Sequence, residues 1–459
     1  MDSISISISI SITLPDDIII HIVSLLSAKE AAFVSLLSKR WQNMFTIIPN
    51  VEFDDDSIQV QGMMDFLNAV LVLPPSSRVK SLSLKCRKDR TRYDHINRCL
   101  CNVLKRGVMD LKLDLRCGHG YRLPFYVFSC KTLVELHLGT GLVVDLLTKN
   151  ALLPALKTLI IDSVRFYDHC GCAFQMLLSA CPVLVELVMR DVELEHWQWS
   201  RTVSSPTLQR LAINHRYFFD VIHYDLESIT FDTPSLTSLS YFDFAPRSYP
   251  IVNLCSLVEA SVGLSLPDDH VWIRQYAGDH DTITLDITNL IKGLRNVEIL
   301  KLSTPMTLEA FYCFLEVIPV FENLHRLCVT SEHDFRWPTL PYLLKKSPVL
   351  KTLFIKGPLH YNYYSDDDDE EPVFEYLPEY DFLLSCPVKV LEITEYSGTR
   401  GELEQIKLFL ENLLCLELVK VCVCETDYEE QIQLKTNLLN LPRSSKCNIQ
   451  FFMPHGKSV

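Results

Sequence analysis

A short apolar pattern recurs along most of this chain and limits what the chain can fold into. The pattern is apolar-x-x-apolar-x-apolar, with clear copies in LVELHL, LKTLII, LQRLAI, VEILKL, LHRLCV and LKTLFI. Most copies are 21 to 29 residues apart, which is the period of a leucine-rich repeat, and two longer intervals indicate insertions. The copies start at Val79, Val108, Leu133, Leu156, Leu184, Leu208, Leu236, Leu257, Val297, Leu324, Leu350, Val388 and Leu413.

The positions between the apolar residues provide an independent test of this pattern. Offsets +2, +4 and +6 from each start point to the opposite face of a β-strand. Of these 39 positions 10 are apolar, whereas hydrophobic residues make up 48% of the whole chain. The alternation predicts strands with one buried and one solvated face, as the inner sheet of a solenoid requires.

The connectors between the copies repeat as well. LLSACPVLVEL and LLKKSPVLKTL share one frame, and LLSCPVKVLEI is close to it. Each is typical of a helix end, then Pro182, Pro348 or Pro387, then a strand, because proline lacks an amide donor and disfavours helical geometry in the preceding residue. The sequence therefore predicts one helix and one strand per repeat, in an α/β solenoid with parallel strands on its concave face and helices on its convex face.

Residues 14–46, which precede the repeats, have a helical pattern instead. The acidic residues after Leu14 and Pro15 favour a helix start, and Ile18, Ile22 and either Leu25 or Leu26 then share one apolar face. A later helix places three apolar residues four apart. About 35 residues in three short helices cannot bury all of this apolar surface. The residues left without a partner in this segment are Ile19, Ile20, Phe33 and Val34.

The overall charge and the cysteine usage exclude several classes of protein. The net charge of −14 and the pI of about 5.5 argue against nucleic-acid binding, which needs a concentrated basic surface. No run approaches the apolar length of a membrane helix. The sixteen cysteines fall largely in apolar runs, where a thiol behaves as a small core residue, and this predicts a reducing compartment, the cytoplasm or the nucleus.

Motifs for catalysis and metal binding are absent or weak in the sequence. No Gly-rich phosphate loop and no G-x-S-x-G elbow is present. The C-x-C pairs Cys99/Cys101, Cys170/Cys172 and Cys422/Cys424 lack the spacing of a structural zinc site, so buried thiols are the favoured interpretation. The acidic run YSDDDDEEP is typical of a surface loop. The sequence therefore predicts no catalytic residue, no metal and no cofactor.

Two segments resemble domains of one plant protein family. The stretch LPDDIIIHIVSLLSAKEAAFVSLLSKRW resembles an F-box, with Ser27 at a position where the family commonly has proline. The stretches LEITEYSGTRGELEQIKLFLENLLCLELVKV and LLNLPRSSKCNIQFF resemble the FBD module that follows leucine-rich repeats in many plant F-box proteins. The resemblance implies a three-helix F-box at 14–50, repeats at 76–375 and an FBD module at 376–453 that continues the array. The Ser/Ile alternation at 1–13 predicts a low-complexity tail, and inserts near 265–296 and 357–375 interrupt the repeats; all three lie outside the resemblance.

The resemblance also implies a function. Proteins of this family are substrate receptors of SCF-type cullin–RING ubiquitin ligases, in which the F-box docks on a Skp-type linker and the repeats hold a protein substrate. Trp41 would pack the third helix against the others, and Lys39 and Arg40 beside it would steer an acidic linker. The residues that this resemblance assigns to linker binding are Leu14, Pro15, Ile18, Ile22, Leu26, Val34, Leu37, Lys39, Arg40 and Trp41.

A second hypothesis is a leucine-rich scaffold or small-ligand sensor that does not engage a ligase. A pocket for a small anion would need basic residues that converge from several inner-face positions. The basic residues at those positions are instead spread along the array and mixed with acids, which favours a protein substrate. They are Lys85, Lys112, Arg190, Arg210, Lys301, Arg326 and Lys356.

Overall fold

The structure is a computed structural model of a chain that divides into two compact units, Met1–His196 and Trp197–Val459. The predicted tail at 1–13, the acidic run and most of the predicted F-box lie outside the residues that the structure describes. Those residues are 14–15, 18–19, 22, 40–41, 50–54, 79–86, 93–116, 120–145, 150–167, 173–194, 200–215, 227–266, 270–272, 283–331, 339–357, 381–424, 428–443 and 446–452.

The N-terminal unit is built around a parallel sheet whose strands follow the predicted repeats. Its order is β1-β2-β3-β5-β7-β9, and a second parallel sheet has the order β10-β8-β6-β4. The strands are β1 (Asn50–Asp54), β2 (Ser81–Cys86), β3 (Asp110–Leu115), β4 (Tyr121–Arg122), β5 (Glu135–Leu138), β6 (Leu142–Asp145), β7 (Thr158–Asp162), β8 (Arg165–Tyr167), β9 (Glu186–Arg190) and β10 (Glu193–Leu194). The helices of this unit whose bounds lie within the described residues are α1 (Tyr93–Lys105), α2 (Ala173–Ser179) and a 3-10 helix (Phe125–Ser129).

The C-terminal unit repeats this plan over more strands. Its main sheet has the order β12-β14-β16-β19-β20-β21-β22-β23-β24, and the smaller sheets are β11-β13-β15 and β17-β18. The smaller-sheet strands are β11 (Ser200–Ser204), β13 (Ser228–Asp232), β15 (Val252–Asn253), β17 (His270–Trp272) and β18 (Ile283–Leu285). The main-sheet strands are β12 (Arg210–Asn214), β14 (Ser238–Phe244), β16 (Glu259–Ser265), β19 (Ile299–Leu302), β20 (Arg326–Thr330), β21 (Thr352–Lys356), β22 (Val390–Tyr396), β23 (Leu418–Val423) and β24 (Asn448–Phe452).

Among the described connector residues, helices occupy only some of the connectors, contrary to the expectation of one helix per repeat. Between β11 and β16 the described connector residues form the short strands of the second sheet, as their β-branched content favours. After Pro182, Pro348 and Pro387 a strand follows a helix, as the shared frame predicts. The helices of the C-terminal unit are α3 (Thr288–Gly293), α4 (Pro305–Cys313), a 3-10 helix (Leu315–Val317), α5 (Thr339–Lys345), α6 (Asp381–Leu384), α7 (Arg400–Asn412) and α8 (Tyr428–Leu439).

The strand register agrees with twelve of the thirteen predicted repeat starts. Leu82 pairs with Leu111 and Leu111 with Leu136, so that equivalent apolar residues form continuous buried rows. The last predicted start, Leu413, was wrong. Val390 pairs with Leu418, and this register puts Leu416 at the start position of the last copy. Strand β1 precedes the first predicted copy and was missed. The predicted α/β class, with leucine-rich repeats built on parallel strands, is confirmed.

Candidate functional site

The N-terminal helical segment begins where the sequence predicts a helix start. The backbone amides of Ile18 and Ile19 each donate to the carbonyl oxygen of Pro15 at 3.1 Å. Ile18, Ile19 and Ile22 have helical geometry, and so have Arg40 and Trp41 further along. Pro15 lacks an amide hydrogen and therefore suits a first turn, whose amides have no helical acceptor.

The burial of the first helix corrects the predicted orientation of its isoleucines. Ile19 is fully buried, whereas the sequence analysis left it without a partner. Ile18 is 45% exposed, and Pro15 beside it is exposed as well. Ile19 therefore contributes to the core of the chain, while Ile18 and Pro15 present apolar surface to the outside.

The third predicted helix is fastened to the start of the first. Arg40 Nη2 donates to the carbonyl oxygen of Leu14 at 2.6 Å, across 26 positions of the chain. Trp41 next to it is 6% exposed, as expected for a packing residue. Arg40 is thus engaged within the chain, which differs from the steering role that the sequence suggests for it. Four of the residues assigned to linker binding lie outside the described residues, namely Leu26, Val34, Leu37 and Lys39.

Replacing Arg40 with glutamine should loosen the start of the first helix. A hydrogen bond from a charged donor contributes about 1.5 to 3 kcal/mol, and partial exposure reduces this to about 1 kcal/mol here. We expect amide hydrogen exchange at Ile18 and Ile19 to become several-fold faster, because their amides are bonded to Pro15. Lys39→Gln removes the same charge and serves as the control. Equal exchange rates in the two variants would contradict this role of Arg40.

The main sheet of each unit has one polar face. This face consists of the alternate strand positions whose side chains are mostly part-exposed. The bases predicted for inner-face positions all lie on these faces. In the N-terminal unit, Lys85 Nζ lies 2.8 Å from Asp54 Oδ2, and Arg190 Nη1 lies 3.7 Å from Asp162 Oδ2. Burial lowers the pKa of His137 between them, which keeps its ring neutral at pH 7.

The polar face of the C-terminal unit holds further ion pairs. Glu392 accepts from two cations, with Lys420 Nζ at 2.9 Å and Arg326 Nη2 at 3.4 Å. Lys301 Nζ lies 2.6 Å from Glu259 Oε1. Lys420 was absent from the predicted bases because the last repeat start was misplaced by three residues.

A buried ion pair joins the two layers of the C-terminal unit, and the sequence analysis missed it. Arg201 Nη1 on β11 lies 2.8 Å from Asp243 Oδ2 on β14, and the two side chains are 6% and 0% exposed. The amide of Phe244 also donates to Asp243 at 2.9 Å. The available signal was a lone aspartate in the apolar run YFDFA, which requires a buried partner.

Seven of the thirteen described cysteines are buried, whereas Cys255 and Cys415 are exposed and the other four are part-exposed. Burial raises the pKa of Cys99 and of Cys181 to about 12, so both stay protonated and unreactive near pH 7. The pair Cys170/Cys172 lies outside the described residues. Among the residues that the structure does describe, no group of three or more His, Cys, Asp or Glu side chains is placed to hold a metal ion. No helix of the described ranges has the length and apolar character that crossing a membrane requires.

The segment with FBD resemblance contains a complete helix cap. The Thr399 side chain accepts from the amide of Glu402, and the Glu402 carboxylate accepts from the amide of Thr399 at 2.9 Å. Glu402 is buried and also accepts from the amide of Ser397 at 3.2 Å. This capping box fixes the start of α7 at Arg400.

These features define a leucine-rich-repeat protein with a short helical motif before its repeats. Residues 12–51 match the F-box domain, and residues 96–255 match the leucine-rich repeats of the FBD-associated F-box protein At5g56370. The chain is 59% identical to At3g58960 of Arabidopsis thaliana, which carries the name of an F-box protein, over 97% of this chain and 99% of that protein.

Two other Arabidopsis thaliana relatives are named F-box/LRR-repeat proteins. At3g58980 is 52% identical over 96% of this chain and 73% of its own length, and At3g62440 is 47% identical over 95% and 98%. The chain therefore belongs to the plant family of F-box proteins with FBD-associated leucine-rich repeats. Members of this class are adaptors, which recruit other proteins.

Proposed function

We propose that this chain is the substrate-recognition subunit of an SCF-type cullin–RING ubiquitin ligase. Its F-box would dock on a Skp-type linker, and its repeats would hold a protein substrate without any bond chemistry of their own. The observation that carries this proposal is the exposed apolar surface at the F-box helix start, where Ile18 is 45% exposed beside the fully buried Ile19.

The exposed apolar surface contributes binding energy when a partner covers it. An isoleucine side chain that leaves water contributes about 1.5 to 3 kcal/mol. Pro15 and Ile18 are exposed while Leu14 is fixed through its carbonyl by Arg40, so the apolar group is held in place before a partner arrives. Preorganisation of this kind lowers the entropic cost of docking a helix into an apolar groove.

The polar face of the C-terminal unit indicates what kind of ligand the repeats hold. Lys301, Arg326 and Lys420 pair with carboxylates of the same face and lie on β19, β20 and β23, so they are spread along the sheet and do not converge on one small anion. Half-buried apolar side chains, among them Phe354 and Leu418, lie between these pairs. A mosaic of this kind favours a protein substrate over a small-molecule ligand.

The proposed location is the cytoplasm or the nucleus. The thirteen cysteines within the described residues are free thiols, which supports a reducing compartment. Ubiquitin ligase assembly in either compartment agrees with this proposal.

Substitution of Ile18 by aspartate tests the docking role. Removing a central apolar contact and placing a charge there should weaken capture of a co-expressed Skp-type linker by at least about 30-fold. Ile251→Asp is the matched control, because Ile251 is 54% exposed on the repeats and should leave capture unchanged. Affinity pull-down with quantified linker, on variants with unchanged circular dichroism, gives the readout. Full linker capture by the Ile18 variant would refute the docking role.

A further inference from the structure

The polar faces of the two units differ in the sign of their charge. On the N-terminal face the described strands carry seven acids and three bases. The acids are Glu52, Asp54, Asp110, Asp114, Glu135, Asp162 and Glu186, and the bases are Lys85, Lys112 and Arg190.

On the C-terminal face the described strands carry five bases. They are Arg210, Lys301, Arg326, Lys356 and Lys420. The acids are Glu259, Glu392 and, at an irregular position of β22, Glu395. This face is therefore net basic, although the whole chain has a net charge of −14.

Four of the five bases form one patch. Lys301, Arg326, Lys356 and Lys420 lie on β19, β20, β21 and β23 of one hydrogen-bonded sheet. With strands about 4.8 Å apart and alternate residues about 6.7 Å apart, the patch measures about 19 Å by 13 Å. We call these four residues the basic patch.

The carboxylates within the patch neutralise only part of its charge. The single carboxylate of Glu392 faces both Arg326 and Lys420, which leaves one positive charge in excess. Lys356 is exposed at the end of β21 and makes no ion pair with any residue that the structure describes. The basic patch thus presents a positive potential beside half-buried apolar side chains, among them Phe354, Val390 and Leu418.

We propose that the basic patch recognises an acidic, extended segment of the substrate protein in which pairs of apolar residues alternate with pairs of Asp or Glu, so that one face of the segment presents both kinds of side chain. This inference rests on the proposed function and specifies its substrate class. Charge complementarity selects the acidic side chains, and the apolar side chains of the face bury those between them. The paired acids Glu259 and Glu392 disfavour a continuous phosphate backbone, which carries no apolar residues and one charge per nucleotide.

Fluorescence anisotropy on the full chain in complex with a Skp-type linker tests this assignment. The probe is a fluorescein-labelled peptide in which pairs of glutamates alternate with pairs of leucines. It is compared with a version that has glutamine in place of glutamate and with a labelled single-stranded oligonucleotide. We expect the acidic peptide to bind more tightly than both, and its affinity to fall as salt rises. Equal binding of the acidic and glutamine peptides, or tighter binding of the oligonucleotide, would overturn the inference.

Charge reversal within the patch locates the binding. Lys356→Glu should weaken binding of the acidic peptide about fivefold at low salt, since exposed charge pairs contribute modestly. Lys435→Glu is the control, because Lys435 is exposed on α8 and not on the polar face. Equal loss in both variants, or no loss in either, would contradict the assignment.

Linker retention in the same samples separates the two proposals. A complex that retains the linker and does not distinguish the peptides overturns the substrate class alone. A chain that binds the acidic peptide and retains no linker overturns the ligase role and supports the patch.

Discussion

Replacing Asp243 with alanine is expected to lower the free energy of unfolding of the C-terminal unit by about 3 to 5 kcal/mol, because it leaves the Arg201 guanidinium buried without its carboxylate. Arg201 is 6% exposed and Asp243 is fully buried, with 2.8 Å between Nη1 and Oδ2. Urea denaturation followed by circular dichroism measures the change.

A comparison within the same unit isolates the effect of burial. Glu259→Ala removes the partner of Lys301, whose ion pair is as short but whose side chains are about 40% exposed. We expect a cost below about 1 kcal/mol there. The double variant Arg201→Met/Asp243→Leu should recover most of the lost stability, since apolar replacements of a buried pair are often neutral. Similar costs for the Asp243 and Glu259 variants would contradict this account.

Replacing Gly141 with alanine is expected to destabilise the N-terminal unit by more than about 3 kcal/mol. Gly141 has φ of +78°, and an added Cβ would lie 1.8 Å from the carbonyl oxygen of Leu115. The backbone there is held from both sides, because Leu115 N donates to Thr140 O at 2.9 Å and Tyr121 N donates to Gly141 O at 2.8 Å. Moving it apart would break these bonds between neighbouring repeats. Thermal unfolding and the soluble yield are the readouts.

Gly107 supplies a control with the same backbone conformation. Its φ is +80°, but an added Cβ would meet nothing closer than Thr132 Cγ2 at 3.8 Å. Gly107→Ala should therefore cost only the conformational strain, about 1 to 2 kcal/mol. If both alanine variants unfold at the same temperature, the close approach to Leu115 does not contribute and this explanation is wrong.

The repeat array could be predicted from sequence because its signal has a fixed period. In twelve copies, apolar residues occupy alternate positions of the strand and mostly polar residues occupy the positions between them. Only one strand register buries the first set and exposes the second. The thirteenth failed because LLCLELVKV is apolar at too many positions to define a single register, so Leu413 fits the template as well as Leu416. Strand β1 was missed because the segment before it had a helical pattern.

The surface proposed for docking was less predictable for a similar reason. Ile18, Ile19 and Ile20 are consecutive, so a helical period cannot tell which of them faces the core. Only packing decides, and it buries Ile19 and exposes Ile18. Arg201 and Asp243 are 42 positions apart in the sequence and lie on different layers. No periodic pattern in the sequence therefore predicts that they pair.

Light scattering after size-exclusion chromatography tests the central claim most directly. We predict that the chain, co-expressed with a plant Skp-type linker, elutes as a single complex with the mass of one 52.8 kDa chain plus one linker. A folded chain that elutes at 52.8 kDa alone, with the linker in a separate peak, would contradict the assignment of this chain as a ligase adaptor.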